Sequence, residues 1–453
     1  DSLEAFSACE LVIEAAPESL VLKHELFEQL SSIVDTDCVL ATNTSSLPVT
    51  AIASAASHPE RVVGMHFFNP APVMRLLEVV AGDGSSEDAL ARARATGEAM
   101  GKRVILATDG PGFVVNRCGR PFGLEGLRLL QERIAGIEQI DRICRLGGGF
   151  RMGPFELMDL VGVDTGFEVS KSFYEQSFGE PRWRPSPITA RMVAAGRHGR
   201  KSGRGYYDYG SGQHRSDDPD PPAPGAGGEP LVIAGDFVLA AKLREAAAVA
   251  GYAVAKEQDP DAEPPWLIVD CRPDEDEEGR PLQGGPRAVL CAEGSLAALD
   301  AAGTAVGFHA LPPLEHTRLV ELTRSSTTSE VAAERAQELF SVLGKHVEWV
   351  GDAPGLVLGR IVSQLVNEAA FALGEGVGSA EDIDAGMLLG LNYPHGPLHW
   401  ADVIGLDHVL SVLDALQDHY REERYRAAPL LRAQVWEGRL GHPTGAGFFE
   451  HDR

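Results

Sequence analysis

At 453 residues the chain is longer than one hydrophobic core organises, so several domains are expected. Its 44% apolar and 23% charged residues are those of a globular protein, with no run of 18 apolar residues to span a membrane and no secretory signal pattern at its start. A formal net charge of −26 excludes nucleic acid and anionic membranes as natural partners.

The elements begin with Glu10-Leu-Val-Ile-Glu-Ala, a short buried-strand pattern. Leu22, Leu26, Phe27, Leu30, Ile33 and Val34 then recur at helical spacing. Cys38-Val-Leu-Ala-Thr reads as the next strand, Ser46-Leu-Pro opens a helix with a cap and an early proline, and Arg61 to Phe68 reads as a third strand. Strand, helix, strand, helix, strand predicts a parallel sheet with right-handed crossovers, the later portion of a Rossmann-type domain over residues 1–108. Such a domain should open with a Gly-x-Gly-x-x-Gly turn. None occurs and the first residue is Asp1, so the expectation is that the first βαβ unit is missing at the N-terminus.

From Asp109 to about Tyr209 the pattern turns helical: Pro111-Gly112 opens a helix through Asn116, Arg117, Leu124, Leu127 and Leu130, with others over 137–146 and 155–178. Residues 210–230, rich in Gly, Pro, Ser and Asp, read as a flexible linker. Strand candidates at Leu231-Val-Ile, Trp266-Leu-Ile-Val-Asp, Ala288-Val-Leu-Cys and Thr304-Ala-Val-Gly make 231–351 a reduced second sheet domain, with a solvated acidic loop over 272–286. Residues 352–453 repeat the helical pattern. The fold class is therefore α/β plus all-α: a partial Rossmann-type parallel sheet domain, a helical domain, then a degenerate repeat of both.

The repeat has a fixed offset of 243 residues, which carries His66 onto His309, Glu78 onto Glu321, Asp109 onto Asp352 and Arg117 onto Arg360. It also carries Ile140-Asp141 onto Ile383-Asp384, Gly153-Pro154 onto Gly396-Pro397 and Asp159 onto Asp402. The second copy departs at other places. Pro312 stands for Asn69, Gly359 for Asn116 and, one residue shifted, Pro443 for Lys201, and there is no Asn-Thr-Ser-Ser near residues 290–296. A second active site is not expected.

Chemistry concentrates at the predicted strand ends, where open parallel sheets bind ligands: Glu14 to Glu18, Asn43-Thr-Ser45, and His66 to Asn69. Alone, His66 reads as a core histidine. Glu78 lies in the apolar run Leu76-Leu77-Glu78-Val79-Val80, where a carboxylate must be paired or neutral. Its partner is either Arg75 or Lys102, or the imidazole of His66, which it would orient and stabilise when protonated. Ser45 and Ser46 read equally as helix caps, and Asn116 as a group satisfying backbone near a helix start. Lys201-Ser-Gly-Arg-Gly-Tyr-Tyr is either an ordinary turn or a lysine that reaches an anionic ligand. The six scattered cysteines, without C-x-x-C spacing, read as reduced thiols of a cytoplasmic protein, and no metal site is expected.

Taken together, Leu11-Val-Ile-Glu-Ala, Asn43-Thr-Ser-Ser-Leu, His66-Phe-Phe-Asn-Pro-Ala-Pro-Val-Met, Pro111-Gly-Phe-Val-Val-Asn-Arg, Gly153-Pro-Phe-Glu-Leu and the Lys201 motif resemble the 3-hydroxyacyl-CoA dehydrogenase family over residues 1–209. The tandem layout, with Asn392-Tyr-Pro-His-Gly-Pro-Leu and His419-Tyr-Arg-Glu-Glu-Arg-Tyr-Arg, resembles the branch that oxidises 3-hydroxyadipyl-CoA or 3-hydroxybutyryl-CoA in phenylacetate breakdown. The resemblance implies NAD as cofactor and an acyl-CoA as substrate. It makes His66 the general base paired to Glu78, and gives Ser45 and Asn116 to the substrate oxygens. Glu18, Lys23, Asn43, Ser45, Asn69 and Lys201 would serve the cofactor. It further implies that the two helical domains form a pseudo-dimer within one chain, with homo-oligomers also open. Two rival readings are a different NAD-dependent hydroxyacid dehydrogenase with a lysine base, and a non-catalytic CoA-binding or assembly protein. CoA dependence discriminates the first, and the joint retention of Ser45, His66, Glu78 and Asn116 argues against the second.

Overall fold

The computed structural model describes residues 2–210, 212–259, 261–272 and 284–451, so most of the acidic loop expected over 272–286 lies outside the described residues. The chain forms two compact units. The first comprises Asp1–Arg120, Val169–Trp183 and Glu368–Leu398; the second comprises Pro121–Glu168, Arg184–Asn367 and His399–Arg453.

The first unit is built on a sheet in the order β1 (Leu11–Glu14), β2 (Val39–Thr42), β3 (Val62–Phe67), β4 (Leu76–Ala81) and β5 (Arg103–Thr108). Helices α1 (Leu20–Ile33), α2 (Val49–Ala53) and α3 (Glu87–Ala99) connect the strands. The Ser19 side chain starts α1 by accepting from the Leu22 N–H, and Ser86 starts α3 by accepting from Ala89. The buried face of α3 is Ala89, Ala93 and Gly97, small enough to seat the helix on the sheet: a Cβ on Gly97 would fall 2.4 Å from Leu77 Cδ2. Strands β1, β2 and β3 run parallel as expected. The sequence reading did not anticipate β4, which runs antiparallel to β3. Only residues 68–75 separate the two strands, too few for the dozen or so residues that a parallel crossover needs.

Two helices expected to be continuous are broken. The one opening after Pro111 is α4 (Val115–Cys118) followed by α5 (Arg120–Gln131), and the one over 155–178 is α7 (Pro154–Val161) and α8 (Val163–Gln176), parted at Gly162 with φ +105. Between the two pairs lies α6 (Ile137–Gly148), and α9 (Pro187–Ala194) closes this helical block.

The second unit carries β6 (Pro230–Ala234), α10 (Val238–Val249), β7 (Ala253–Ala255), β8 (Leu267–Asp270), β9 (Arg287–Leu290), α11 (Leu296–Leu299), β10 (Val306–His309), β11 (Leu319–Thr323), α12 (Glu330–Val342) and β12 (His346–Trp349). Its sheet order is β12-β11-β10-β9-β8-β6-β7. Strands β8 to β12 repeat the senses of β1 to β5, including the antiparallel step between β10 and β11. The sheet expected to be reduced is thus the larger one: β6, α10 and β7 add a parallel βαβ unit at its edge.

After this sheet come α13 (Leu358–Gly374), α14 (Ala380–Gly390), α15 (Pro397–Ile404), α16 (Leu406–Tyr420) and α17 (Pro429–Trp436). In the first unit α14, from the second copy, packs on β4, β5 and α4; in the second unit α6, from the first copy, packs on β11. Their contacts are equivalent across the repeat. Gly390 closes on Leu76 and Val115, and Gly147 on Leu319 and Leu358. The Thr108 N–H donates to the Val377 carbonyl at 2.9 Å, and the Gly351 N–H to the Ile134 carbonyl at 2.7 Å. Arg117 meets Glu368 at 2.8 Å and Glu375 at 2.7 Å, while Arg360 meets Glu125 at 2.8 Å and Glu132 at 2.6 Å.

Several repeated residues are structural pins. Asp141 accepts from the Phe155 N–H and Asp384 from the Leu398 N–H, each at 2.9 Å. Asp159 holds the Tyr206 and Tyr207 N–H groups, and Asp402 those of Phe448 and Phe449. The segment expected to be a flexible linker is tethered at its start, because Asp218 takes two bonds from Arg145 (2.9 and 2.7 Å) and Arg215 donates to Glu156 at 2.8 Å. Composition alone hides these ion pairs, since their partners lie in α6 and α7. Among the described residues no helix is long and apolar enough to cross a membrane.

Candidate active site

The antiparallel register of β3 and β4 places His66 directly opposite Glu78, which is why residues twelve apart meet. His66 Nδ1 lies 2.6 Å from Glu78 Oε2, and the other oxygen, Oε1, accepts from the Val114 and Val115 N–H groups at 3.1 and 3.0 Å. Glu78 is fully buried, and this set of donors is what lets a carboxylate occupy an apolar strand. Of the other partners considered, Lys102 donates instead to the carbonyls of Ala71 and Met74. With its Nδ1 proton committed to the carboxylate, the imidazole keeps Nε2 as its proton acceptor. The rings of Phe68 and Phe113 flank it at centroid distances of 4.6 and 5.8 Å.

The ends of β1, β2 and β3 are stitched together by side chains. Asn43 Oδ1 accepts from the Phe67 N–H at 2.8 Å. The Glu18 carboxylate accepts from the Ser45 N–H at 2.6 Å, from the Ser45 hydroxyl at 3.1 Å and from the Thr44 hydroxyl at 3.0 Å. Neither Ser45 nor Ser46 caps α2, which begins beyond Pro48 without a side-chain cap. Asn116 is half-buried and directly follows Val115, whose N–H holds Glu78. Asn69 is exposed just past β3.

Two expected cofactor residues, Lys23 and Lys201, each meet a carboxylate within their own unit. Lys23 Nζ has no exposure; it donates to both Glu14 oxygens at 2.8 and 2.9 Å and to the Ala16 carbonyl at 3.3 Å, while Glu18 is 3.8 Å away. Its charge is spent inside the protein, bracing the turn after β1. Lys201 belongs to the second unit, where its Nζ lies 2.6 Å from Asp164 Oδ1. Glu14, named with the end of the first strand, also accepts from the Thr42 hydroxyl at 2.8 Å; its pairing with Lys23 was not read, although it carries the same signal as Glu78, a carboxylate in an apolar strand.

The second copy keeps the frame and loses the pair. His309 and Glu321 face each other in the β10–β11 register, and Glu321 accepts from the Val357 and Leu358 N–H groups at 2.7 and 2.9 Å, as Glu78 does at the equivalent positions. The His309 ring, however, points its Nε2 at His408 Nε2, 3.1 Å away, and its Nδ1 has no hydrogen-bond partner among the described residues. Gly359 permits this, because a Cβ there would fall 2.2 Å from His309 Cε1. Burial holds the His309 pKa well below the ordinary histidine range and lowers that of His408 to about 4. Burial also raises the Glu321 carboxyl to about 8. Two neutral imidazoles sealed from solvent make no competent base for an external substrate.

Comparison with known proteins adds the following. Residues 1–110 match the family described as "3-hydroxyacyl-CoA dehydrogenase, NAD binding domain", and residues 112–209 and 355–451 each match its "C-terminal domain". The chain is 35% identical to the 3-hydroxyadipyl-CoA dehydrogenase of Escherichia coli K12, over 96% of this chain and 82% of that one. It is 42% identical to a 3-hydroxybutyryl-CoA dehydrogenase of Mycobacterium tuberculosis H37Rv, over 46% of this chain and 73% of that one. A crystal structure of 3-hydroxybutyryl-CoA dehydrogenase from Escherichia coli K12 superimposes with a TM-score of 0.79 at 33% identity, covering 96% of this chain and 83% of that one.

Proposed function

The chain belongs to the 3-hydroxyacyl-CoA dehydrogenase family, and from that premise we propose that it oxidises a (3S)-3-hydroxyacyl-CoA to the 3-ketoacyl-CoA at one site, on its first sheet. His66 Nε2 takes the proton of the 3-hydroxyl group. Glu78, at 2.6 Å from Nδ1, stabilises the imidazolium that forms and fixes the ring's orientation. Ser45 and Asn116 hold the substrate oxygens on either side of the reacting carbon, where preorganised dipoles meet developing charge. In the reverse direction His66 returns the same proton to the ketone.

The cofactor is NAD, which when bound would supply the hydride acceptor for C3. Exposed Glu18 and Asn69 lie just past the carboxyl ends of β1 and β3, where a doubly wound sheet takes its ligand, and their polar atoms fit the cofactor as hydrogen-bond partners. Asn43 and Ser45 position the loop between them.

The reading rests on one observation: the His66–Glu78 bond exists, while its counterpart in the repeat is broken. For the second half we propose a structural role, supplying within one chain the helical partner that the first sheet and helices need. The support is the reciprocity of the Arg117–Glu368 and Arg360–Glu125 pairs, the signature of a self-complementary interface. Buried thiols, such as Cys118 and Cys144, suit a reducing compartment, and we place the protein in the cytoplasm. The test is NADH oxidation by the full-length protein with acetoacetyl-CoA and 3-ketoadipyl-CoA. CoA-dependent turnover is expected, and no turnover with either compound would overturn the reading.

A further inference from the structure

Most buried arginines in this protein come with carboxylates: Arg117 with Glu368 and Glu375, Arg145 with Glu156 and Asp218, and Arg360 with Glu125 and Glu132. Buried Arg61 donates instead to the Asp35 and Ser31 carbonyls. Half-buried Arg120 has neither kind of partner among the described residues. Its Nε is sealed from solvent without a hydrogen-bond partner, and among the described residues no carboxylate lies within ion-pair distance of its guanidinium. What the group touches is the Ser170 hydroxyl, at the outer limit of 3.5 Å, and the face of Phe173, 4.7 Å from the ring centroid. Burial pulls its pKa down to about 10, opposed by the Tyr393 phenol rather than by any acid. A guanidinium stays charged at neutral pH, so one whose Nε is sealed with neither an anion nor a carbonyl beside it is an arrangement awaiting a counter-ion.

Its position says where the anion comes from. Gly119, between α4 and α5, keeps helical backbone (φ −79, ψ −13), so Asn116 and Arg120 follow one another on one face, about 6 Å apart along the axis. Phe173 sits against the backbone beside Phe113, since a Cβ on Gly112 would fall 2.0 Å from Phe173 Cζ, and the Phe113 ring is 5.8 Å from that of His66. On α8, Ser170, Phe173 and Gln176 share one face. Ser170 meets Arg120 at one end, and at the other the Gln176 amide donates to the Ser46 carbonyl at 2.8 Å, six residues or about 9 Å further along.

We propose that Arg120 is the acyl-end specificity residue of the first-copy site, its guanidinium receiving a terminal carboxylate so that ω-carboxyacyl-CoA thioesters are taken in preference to neutral ones of equal length. This rests on the placement of the reacting carbon between His66, Ser45 and Asn116. From that carbon, three carbon–carbon bonds of about 1.5 Å carry the terminal carboxyl carbon about 4 Å on, and its oxygens about 5 Å, within hydrogen-bond reach of a guanidinium one helical step of about 6 Å beyond Asn116. The second copy takes part: Tyr393, from the Asn392-Tyr-Pro-His motif that the chemistry leaves unused, stands beside this guanidinium.

The test compares kcat/KM for 3-hydroxyadipyl-CoA and 3-hydroxyhexanoyl-CoA in the full-length protein and its Arg120→Gln and Arg120→Lys variants, with melting curves to verify folding. The wild-type protein is expected to prefer the carboxylated substrate. Arg120→Gln should collapse the ratio by about 100-fold and Arg120→Lys by less, because a buried charge pair loses its partner in the first and keeps a cation in the second. A wild-type ratio near one, or variants that lower both substrates in equal proportion, would overturn the assignment; the wild-type ratio decides even if Arg120→Gln fails to fold. Turnover of neither thioester would overturn the dehydrogenase reading and this assignment with it.

Discussion

His66 and His309 occupy the same position on equivalent strands, and a single neighbour separates their fates. Where Asn116 stands in the first copy, Gly359 in the second leaves the space into which the His309 ring has moved. Gly359 lies in α13, where alanine is intrinsically favoured over glycine by about 1 kcal/mol. Gly359→Ala should nonetheless destabilise the protein, by roughly 1–3 kcal/mol from overpacking, and the same substitution in a His309→Ala background should be neutral or stabilising. Denaturant melts of the four proteins measure this, and an unchanged sign in both backgrounds would refute the steric account. At this scale the sequence was legible where chemistry forces a local conflict. A carboxylate amid leucines and valines demands a partner, so Glu78 stood out, and Glu14, named only as a strand-end group, met the same criterion without a partner being assigned to it. Lys23 was misplaced because a motif match says nothing about whether an ammonium reaches solvent. His408 was illegible, since its partner lies 99 residues away in sequence.

Elements were legible where period and length agree. Strands β1, β2 and β3 and helix α1 fell close to the residues read from apolar spacing. The breaks were not, because the apolar period continues across both: Gly119 ends α4 with its backbone still helical (φ −79, ψ −13), whereas Gly162 turns the chain at φ +105. Strand β4 escaped because its run looks the same in a parallel or an antiparallel neighbour. One consequence at this scale is pH dependence where β10 meets α16. His309 and His408 are held neutral in the folded state, their pKa values depressed by burial, so below about 6.5 the unfolded chain binds protons that the folded one refuses. Stability therefore falls as pH drops from about 6.5 toward 4, by up to about 1.4 kcal/mol per pH unit per imidazole. Glu321 on β11 acts in the opposite sense: its raised carboxyl pKa favours the folded state at low pH, a contribution lost as pH climbs from about 4.5 to 8. The contrast between proteins is thus more telling than the slope itself. His408→Gln, which keeps a hydrogen-bonding partner for His309 and removes one titration, should lose less stability between pH 6.5 and 5 than wild type. Parallel pH profiles would contradict this.

Across the whole molecule, duplication was the most legible feature, since the 243-residue offset carries Asp109 through Asp159 onto Asp352 through Asp402 and slips by only one residue beyond. What it does was not legible, because spacing along a chain does not reveal which copy's helices a sheet receives. Each sheet carries a helix of the other copy, and the contacts of Gly390 and Gly147 match across the exchange. Residues 1–209 expressed alone would lack α14 and expose the apolar faces of β4, β5 and α4. That fragment should therefore self-associate or aggregate, which light scattering after size exclusion will report; a stable monomer would refute the structural role given to the second half.

The central claim is that only one of the two copies does chemistry, through the imidazole that still meets its carboxylate. The direct measurement is kcat for a (3S)-3-hydroxyacyl-CoA in full-length His66→Ala and His309→Ala variants, normalised to folded protein. His66→Ala should lose roughly 100-fold or more, as removal of a general base does, while His309→Ala should stay close to wild type. Equal losses in the two variants, or a His66→Ala protein that turns over normally, would contradict it.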